Sequence, residues 1–125
     1  MDSTLISKLA KIGKNVTISN GVIIHDNVEI GDNCFIGPYC VIGEPVASYY
    51  KNQEEHVFNK TIIGCNSIIR SFTTIYEDVI IGENCQSGHH AIIREQTTIG
   101  HHSSFGSGTE TPGRSTIGNY VRIHS

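Results

Sequence analysis

Isoleucine recurs every sixth residue along most of this chain, and a period that short leaves few folds open. The register runs through Ile12, Ile18, Ile24, Ile30, Ile36 and Ile42, then resumes at Ile63 and continues by sixes to Ile123. Within it only Ser87 and Thr111 are neither Ile nor Phe. Four residues after each position sits a small or compact side chain: Val16, Val22, Val28, Cys34, Cys40 and Val46, then Ser67, Thr73, Val79, Cys85, Ala91, Thr97, Ser103, Thr109, Ser115 and Val121. One apolar residue in six fits neither the helical period nor the alternation of a long strand. Each unit is therefore a short strand and a turn, stacked into a solenoid.

A second period sets the size of a coil. Glycine follows the repeat isoleucine at Gly13, Gly31, Gly64, Gly82, Gly100 and Gly118, and two residues later stand Asn15, Asn33, Asn66, Asn84, His102 and Tyr120. These positions lie 18 apart, apart from one longer step between Gly31 and Gly64. Three hexads thus make one coil of a triangular prism. Asparagine and histidine tolerate the left-handed backbone that tight corners need. The longer step marks an insertion, about residues 48–62, looping out at a corner. Strand spacing of roughly 4.8 Å makes residues 12–125 a prism about 25 Å tall. Residues 1–11 are expected to form an N-terminal cap, with Leu5, Ile6 and Leu9 on one short helical turn plugging the prism.

A length of 125 residues allows one domain, and a net charge of −3 without a basic run argues against nucleic acid as a partner. No stretch has the apolar length of a membrane span, and residues 1–13 lack a signal-peptide core, so no membrane association and a cytoplasmic location are expected. Cys34, Cys40 and Cys85 occupy small-residue positions and are read as compact, reduced core groups. Cys65 sits at an outward position with nothing beside it that marks a nucleophile. At the far end the repeat runs up to Ser125. An open parallel coil invites pairing, so either end-to-end stacking on another chain or a longer parent protein is expected.

This hexad, with Ile, Gly and a small residue at fixed places, resembles the hexapeptide-repeat, left-handed β-helix acyltransferases over about residues 12–125. The run from Gln86 to Glu95, which contains Gly88-His89-His90, and the segment Val41-Ile42-Gly43-Glu44-Pro45 are similar to the N-acetyltransferases of nucleotide-linked amino sugars. The resemblance implies an all-β, left-handed coil, against the general right-handed crossover rule. It also implies a homotrimer with sites in the grooves between prisms, acetyl-coenzyme A as donor, and a nucleotide sugar from surface polysaccharide synthesis as acceptor. No metal is expected.

Acyl transfer to an amine needs a base and donors for the developing oxyanion. Stacking the coils puts Arg70-Ser71-Phe72, Gly88-His89-His90 and Gly106-Ser107-Gly108 in one column. His90 and His89, in that order, are the candidate catalytic bases. Gly106, Ser107 and Gly108 are the candidate coenzyme contacts, because backbone N–H groups at glycines are open to close approach. Tyr49, Tyr50 and Lys51 of the insertion, with Asn66, Arg70 and Glu95, are the candidate sugar-nucleotide contacts. The competing structural readings are surface histidines at a turn, corner residues at His101 and His102, a disordered or trimer-clasping insertion, and an Arg94–Glu95 surface ion pair. Two other functions remain open: a non-catalytic or truncated assembly solenoid, and a zinc carbonic-anhydrase-like protein, whose histidine spacing this chain does not supply.

Overall fold

The computed structural model describes residues 3–125, which form the three-sided prism that the hexads predict. Six strands line each side. The first sheet holds β1 (Leu5–Ile6), β4 (Ile23–Ile24), β7 (Val41–Glu44), β10 (Thr74–Tyr76), β13 (Ile92–Ile93) and β16 (Glu110–Thr111). The second holds β2 (Lys11–Ile12), β5 (Val28–Ile30), β8 (Thr61–Ile63), β11 (Val79–Ile81), β14 (Thr97–Ile99) and β17 (Thr116–Ile117). The third holds β3 (Thr17–Ile18), β6 (Phe35–Ile36), β9 (Ile68–Ile69), β12 (Gln86–Ser87), β15 (Ser104–Phe105) and β18 (Arg122–Ile123). All pairings are parallel, and each strand pairs with strands one coil away, as Ile75 does with Ile93 and Ile81 with Ile99. The result is a left-handed β-helix.

The isoleucines point inward and stack. Ile24, Ile36, Ile42, Ile63, Ile69, Ile75, Ile81, Ile93 and Ile99 are all essentially buried. Each such side chain contributes roughly 1.5 to 3 kcal/mol by leaving water. The small-residue column has a second task. Cys34 Sγ donates to the Gly64 carbonyl and Cys85 Sγ to that of Gly100, both at 3.1 Å. Ser67 and Ser103 hydroxyls do the same for Gly82 and Gly118. A short donor there satisfies a carbonyl that the strand ladder leaves over, as buried polar groups require. Burial raises the pKa of the Cys34, Cys40 and Cys85 thiols, and all four cysteines are free.

Corners turn through the left-handed region. Asn15, Asn33, Asn66, Asn84, His102 and Tyr120 have φ between 57° and 61°. A second corner column has Gly21, Tyr39, Phe72, His90 and Gly108, all at positive φ.

Three expectations need correction. Leu5 and Ile6 form a strand that pairs with Ile23 and Ile24 instead of a helical turn, because their spacing continues the coil. They do not plug the prism, since Leu5 is 64% exposed and Leu9 is 69% exposed. Residues 1 and 2 of the expected cap lie outside the described residues. The insertion occupies the connection from Glu44 to Thr61, and Ile62 belongs to β8. Thr61, not Val46, therefore fills the small-residue position: it pairs with Val28 and is fully buried. Among the described residues no helix is long and apolar enough to cross a membrane.

Candidate functional site

A cleft of about 460 Å³ opens on the outer side of the third sheet. The pleat turns Gln86, Ser104 and Arg122 outward on β12, β15 and β18 while Ser87, Phe105 and Ile123 turn inward. Arg70, His89, Gly106, Ser107 and His124 also line it, with Phe105 and Ile123 among its apolar walls. Arg70 is braced against β12, its guanidinium donating to the Ser87 carbonyl at 3.1 Å and to Gln86 Oε1 at 3.2 Å. Two guanidinium groups and two imidazoles along one polar face suit an anion.

The two adjacent histidines have separate surroundings. His89 lines the cleft, its Nδ1 lies 2.7 Å from Ser71 Oγ, and its backbone N–H donates to Ser107 Oγ. Ser71, His89 and Ser107 are one column, 18 residues apart, so the coil itself aims the imidazole. His90 takes the left-handed corner at φ 55° and stacks flat on Phe72, which stacks on Tyr39. It closes an aromatic ladder on the prism edge and does not line the cleft. His89 and not His90 thus lines the cleft, whereas the sequence reading put His90 first.

The glycines in this column are not open donors. The N–H groups of Gly88, Gly106 and Gly108 donate to the carbonyls of Phe105, Ile123 and His89 at 2.7, 2.6 and 2.9 Å. A side chain at Gly88 would meet the Ser107 backbone nitrogen at 2.3 Å, so packing of the next coil, not ligand approach, demands glycine there. Gly106 and Ser107 line the cleft; Gly108 sits at the corner.

The remaining expected contacts lie elsewhere. Asn66 is a corner residue at φ 61°. Glu95 sits at the corner between the first and second sheets, paired at 2.9 Å with Arg94, whose guanidinium lies over the Tyr76 ring. Burial alone would raise the Glu95 pKa; its own backbone N–H and Arg94 outweigh that and lower it.

Tyr49, Tyr50 and Lys51 lie on the short helix α1 (Ala47–Lys51) at that same corner. The insertion is folded back on its own prism instead of reaching out. Glu77, 1% exposed, accepts hydrogen bonds from the Val46 N–H at 3.0 Å, the Asn59 N–H at 2.7 Å and His56 Nε2 at 2.6 Å. Around it Tyr49, His56 and Phe58 pack ring to ring, and Phe58 stacks on His25. Burial lowers the His25 pKa, against the pull of Glu44. The Tyr50 hydroxyl donates to Glu44 at 2.6 Å, which with partial burial raises its pKa to about 12.

Sequence reasoning missed Arg122 and His124 in the cleft, and Ser71 as the partner of His89, although their 18-residue offsets were available. It also missed the Glu77–His56 pair. No periodic signal marks that pair, because a loop outside the repeat buries it. Among the described residues no three His, Cys, Asp or Glu side chains gather as a metal site.

Over residues 9–44 and 60–86, half of the chain, the sequence matches the bacterial transferase hexapeptide family (six repeats). No curated protein sequence matches it. Among solved structures it is similar to a variant of perosamine N-acetyltransferase from Caulobacter crescentus in complex with CoA and GDP-perosamine. That likeness has 14% identity and a TM-score of 0.43, covering 98% of this chain and 50% of that one. It is also similar to the UDP-N-acetylglucosamine acyltransferases of Francisella novicida (16%, TM-score 0.45, 95% and 66%) and Campylobacter jejuni (15%, TM-score 0.40, 96% and 65%). The chain spans between half and two thirds of the length of these proteins.

Proposed function

The chain belongs to the hexapeptide-repeat transferases, and from that premise we propose that it is an acyltransferase that moves an acetyl group from coenzyme A to the amine of a nucleotide-linked sugar. The observation that carries this reading is the geometry of His89. His89 Nδ1 is engaged with Ser71 Oγ, and in the tautomer that donates Nδ1–H to that hydroxyl, Nε2 is the ring atom left to accept a proton at the cleft wall. It takes the proton as the amine nitrogen attacks the thioester carbonyl, the C–S bond breaks, and the thiolate leaves and recovers a proton. Arg70 and Arg122 supply fixed positive charge for the phosphates of a nucleotide or coenzyme. Gly106 and Ser107 bound the same cleft, which suits the donor. A homotrimer and a cytoplasmic location belong to this reading. In a trimer a neighbouring prism would border this cleft, and Tyr50 and Lys51, the exposed members of the Tyr49-Tyr50-Lys51 run at that prism's own corner, are the groups it would offer to the sugar nucleotide.

The saturated N–H groups of Gly88, Gly106 and Gly108 favour a second reading, a solenoid that binds an anionic ligand without transfer chemistry. Titrating acetyl-coenzyme A into the protein and assaying acetylation of a panel of nucleotide amino sugars separates the two. Transfer is expected, and His89→Asn should lower kcat by about 10²-fold or more while His90→Asn keeps most of it. Ligand binding without transfer for any amino sugar would favour the second reading.

A further inference from the structure

At the insertion corner three side chains stand in line. Ser48 Oγ lies 3.1 Å from His56 Nδ1, and His56 Nε2 lies 2.6 Å from Glu77 Oε2. Their exposure is graded: Ser48 is open to solvent, the His56 side chain is 5% exposed, and Glu77 is 1% exposed. The imidazole is held edge-on by the Tyr49 and Phe58 rings, with interplanar angles of 88° and 89°. Ser48 and His56 open together into a hollow of about 470 Å³, whose wall also contains Asn52 and Asn59. None of this belongs to the cleft at His89.

We propose that Ser48, His56 and Glu77 act as nucleophile, base and orienting carboxylate, and that this corner hydrolyses small acyl esters. A nucleophile within hydrogen-bond reach of a base, itself oriented by a third group, is the arrangement that activates a hydroxyl. Glu77 is an acceptor toward His56 Nε2–H, which leaves the Nδ1 lone pair facing Ser48 Oγ–H. As Ser48 Oγ bonds to the ester carbonyl carbon, its proton passes to His56 Nδ1. The C–O bond to the alcohol then breaks and the alcohol leaves with that proton. Water next attacks the acyl-Ser48 carbonyl, gives a proton to His56, and expels Ser48 Oγ, which recovers it. The net reaction is ester plus water to acid plus alcohol. Asn52 and Asn59 line the hollow beside Glu55, and their side-chain amides are the groups there that can donate to the carbonyl oxygen. The two ring nitrogens serve different partners, so Glu77 fixes the ring and stabilises its charge while the transferred proton is held at His56 Nδ1.

The test uses the whole chain. A fluorophosphonate probe followed by peptide mass analysis is expected to label Ser48, and p-nitrophenyl acetate is expected to be hydrolysed above background. Ser48→Ala, at an exposed position, should keep the melting temperature and lower kcat/KM at least about 100-fold. Glu77→Asp, which draws the carboxylate back by one methylene, should lower kcat about tenfold with KM unchanged. An unlabelled Ser48, or a Ser48→Ala variant that hydrolyses the ester as fast as the parent, would overturn the proposal. Unchanged kcat in Glu77→Asp would remove the carboxylate from it.

Discussion

The corner that carries His89 and the corner that carries the insertion solve the same problem by different means. At the first, residues 18 apart satisfy one another: Ser71, His89 and Ser107 form one hydrogen-bonded column, and Tyr39, Phe72 and His90 form one stack beside it. At the second the repeat is interrupted between Glu44 and Thr61, and no neighbouring coil repeats the inserted backbone. One buried carboxylate takes over, gathering two backbone N–H groups and an imidazole. Repetition makes local structure self-templating; an interruption has to be tied down by a specific polar group. A buried charge is tolerated there because its hydrogen-bonding capacity is largely filled.

The largest effect should come from breaking the repeat itself. Ile81→Asp places a charge inside a fully packed coil and should cost more than about 4 kcal/mol, lost cooperatively. A β-type circular dichroism spectrum and melting temperature equal to the parent's would refute the inward register.

Glu77→Gln acts on the other region. An amide NH2 in place of one carboxylate oxygen turns a donor toward N–H groups that need an acceptor, which should cost about 2 kcal/mol, and the loss should be local. Hydrogen exchange should quicken across residues 45–60 while β11 and β14 stay protected. Uniform loss of protection would show that the insertion and the prism unfold as one unit.

A finer comparison lies within the small-residue column. Ser103 Oγ donates to the Gly118 carbonyl at 2.6 Å and accepts from the Val121 N–H, whereas buried Thr97 Oγ1 has no partner among the described residues. Ser103→Ala should therefore destabilise by about 1 kcal/mol or more, and Thr97→Val should be neutral or stabilising. Chemical denaturation of the two variants reads the difference, and equal destabilisation would remove the donor from the account of this column.

The smallest effect is spectroscopic. Tyr50, hydrogen-bonded to Glu44, should ionise at about 12, and Glu44→Gln should bring it back toward the ordinary phenol value. Because its folded pKa is raised, the contribution of this bond to stability is whole below the ordinary tyrosine pKa, about 10, and is lost as pH rises through the folded value. Ultraviolet titration that finds all five tyrosines ionising together would exclude the bond.

Much of the fold was legible because a solenoid is nearly one-dimensional. Ile75 packs where it does because Ile42 and Ile93 occupy the same place one coil away, and that is a statement about sequence offsets. The left-handed corners at Asn33, Asn66 and Asn84 were legible for the same reason. Val46 shows where the method stops: it keeps the six-residue count, yet the chain leaves the prism before it and Thr61 takes the place. Counting marks that a segment is extra but not the residue at which the coil resumes. Offsets also grouped His89 with His90, since neighbours in sequence share a turn. They cannot tell that one imidazole lines a cleft while the other lies flat on Phe72.

The sequence by itself determined the coil, its three faces, the buried isoleucine column and the place of the interruption, since each follows from contacts at a constant separation along the chain. Only the tertiary structure decided that Glu77 is buried, that His56 reaches it from 21 residues away, and that Ser48 meets the same imidazole. The insertion has no periodic neighbour, so its contacts are fixed by how it folds across the prism, and burial and hydrogen bonding there depend on atoms that no regular spacing brings together.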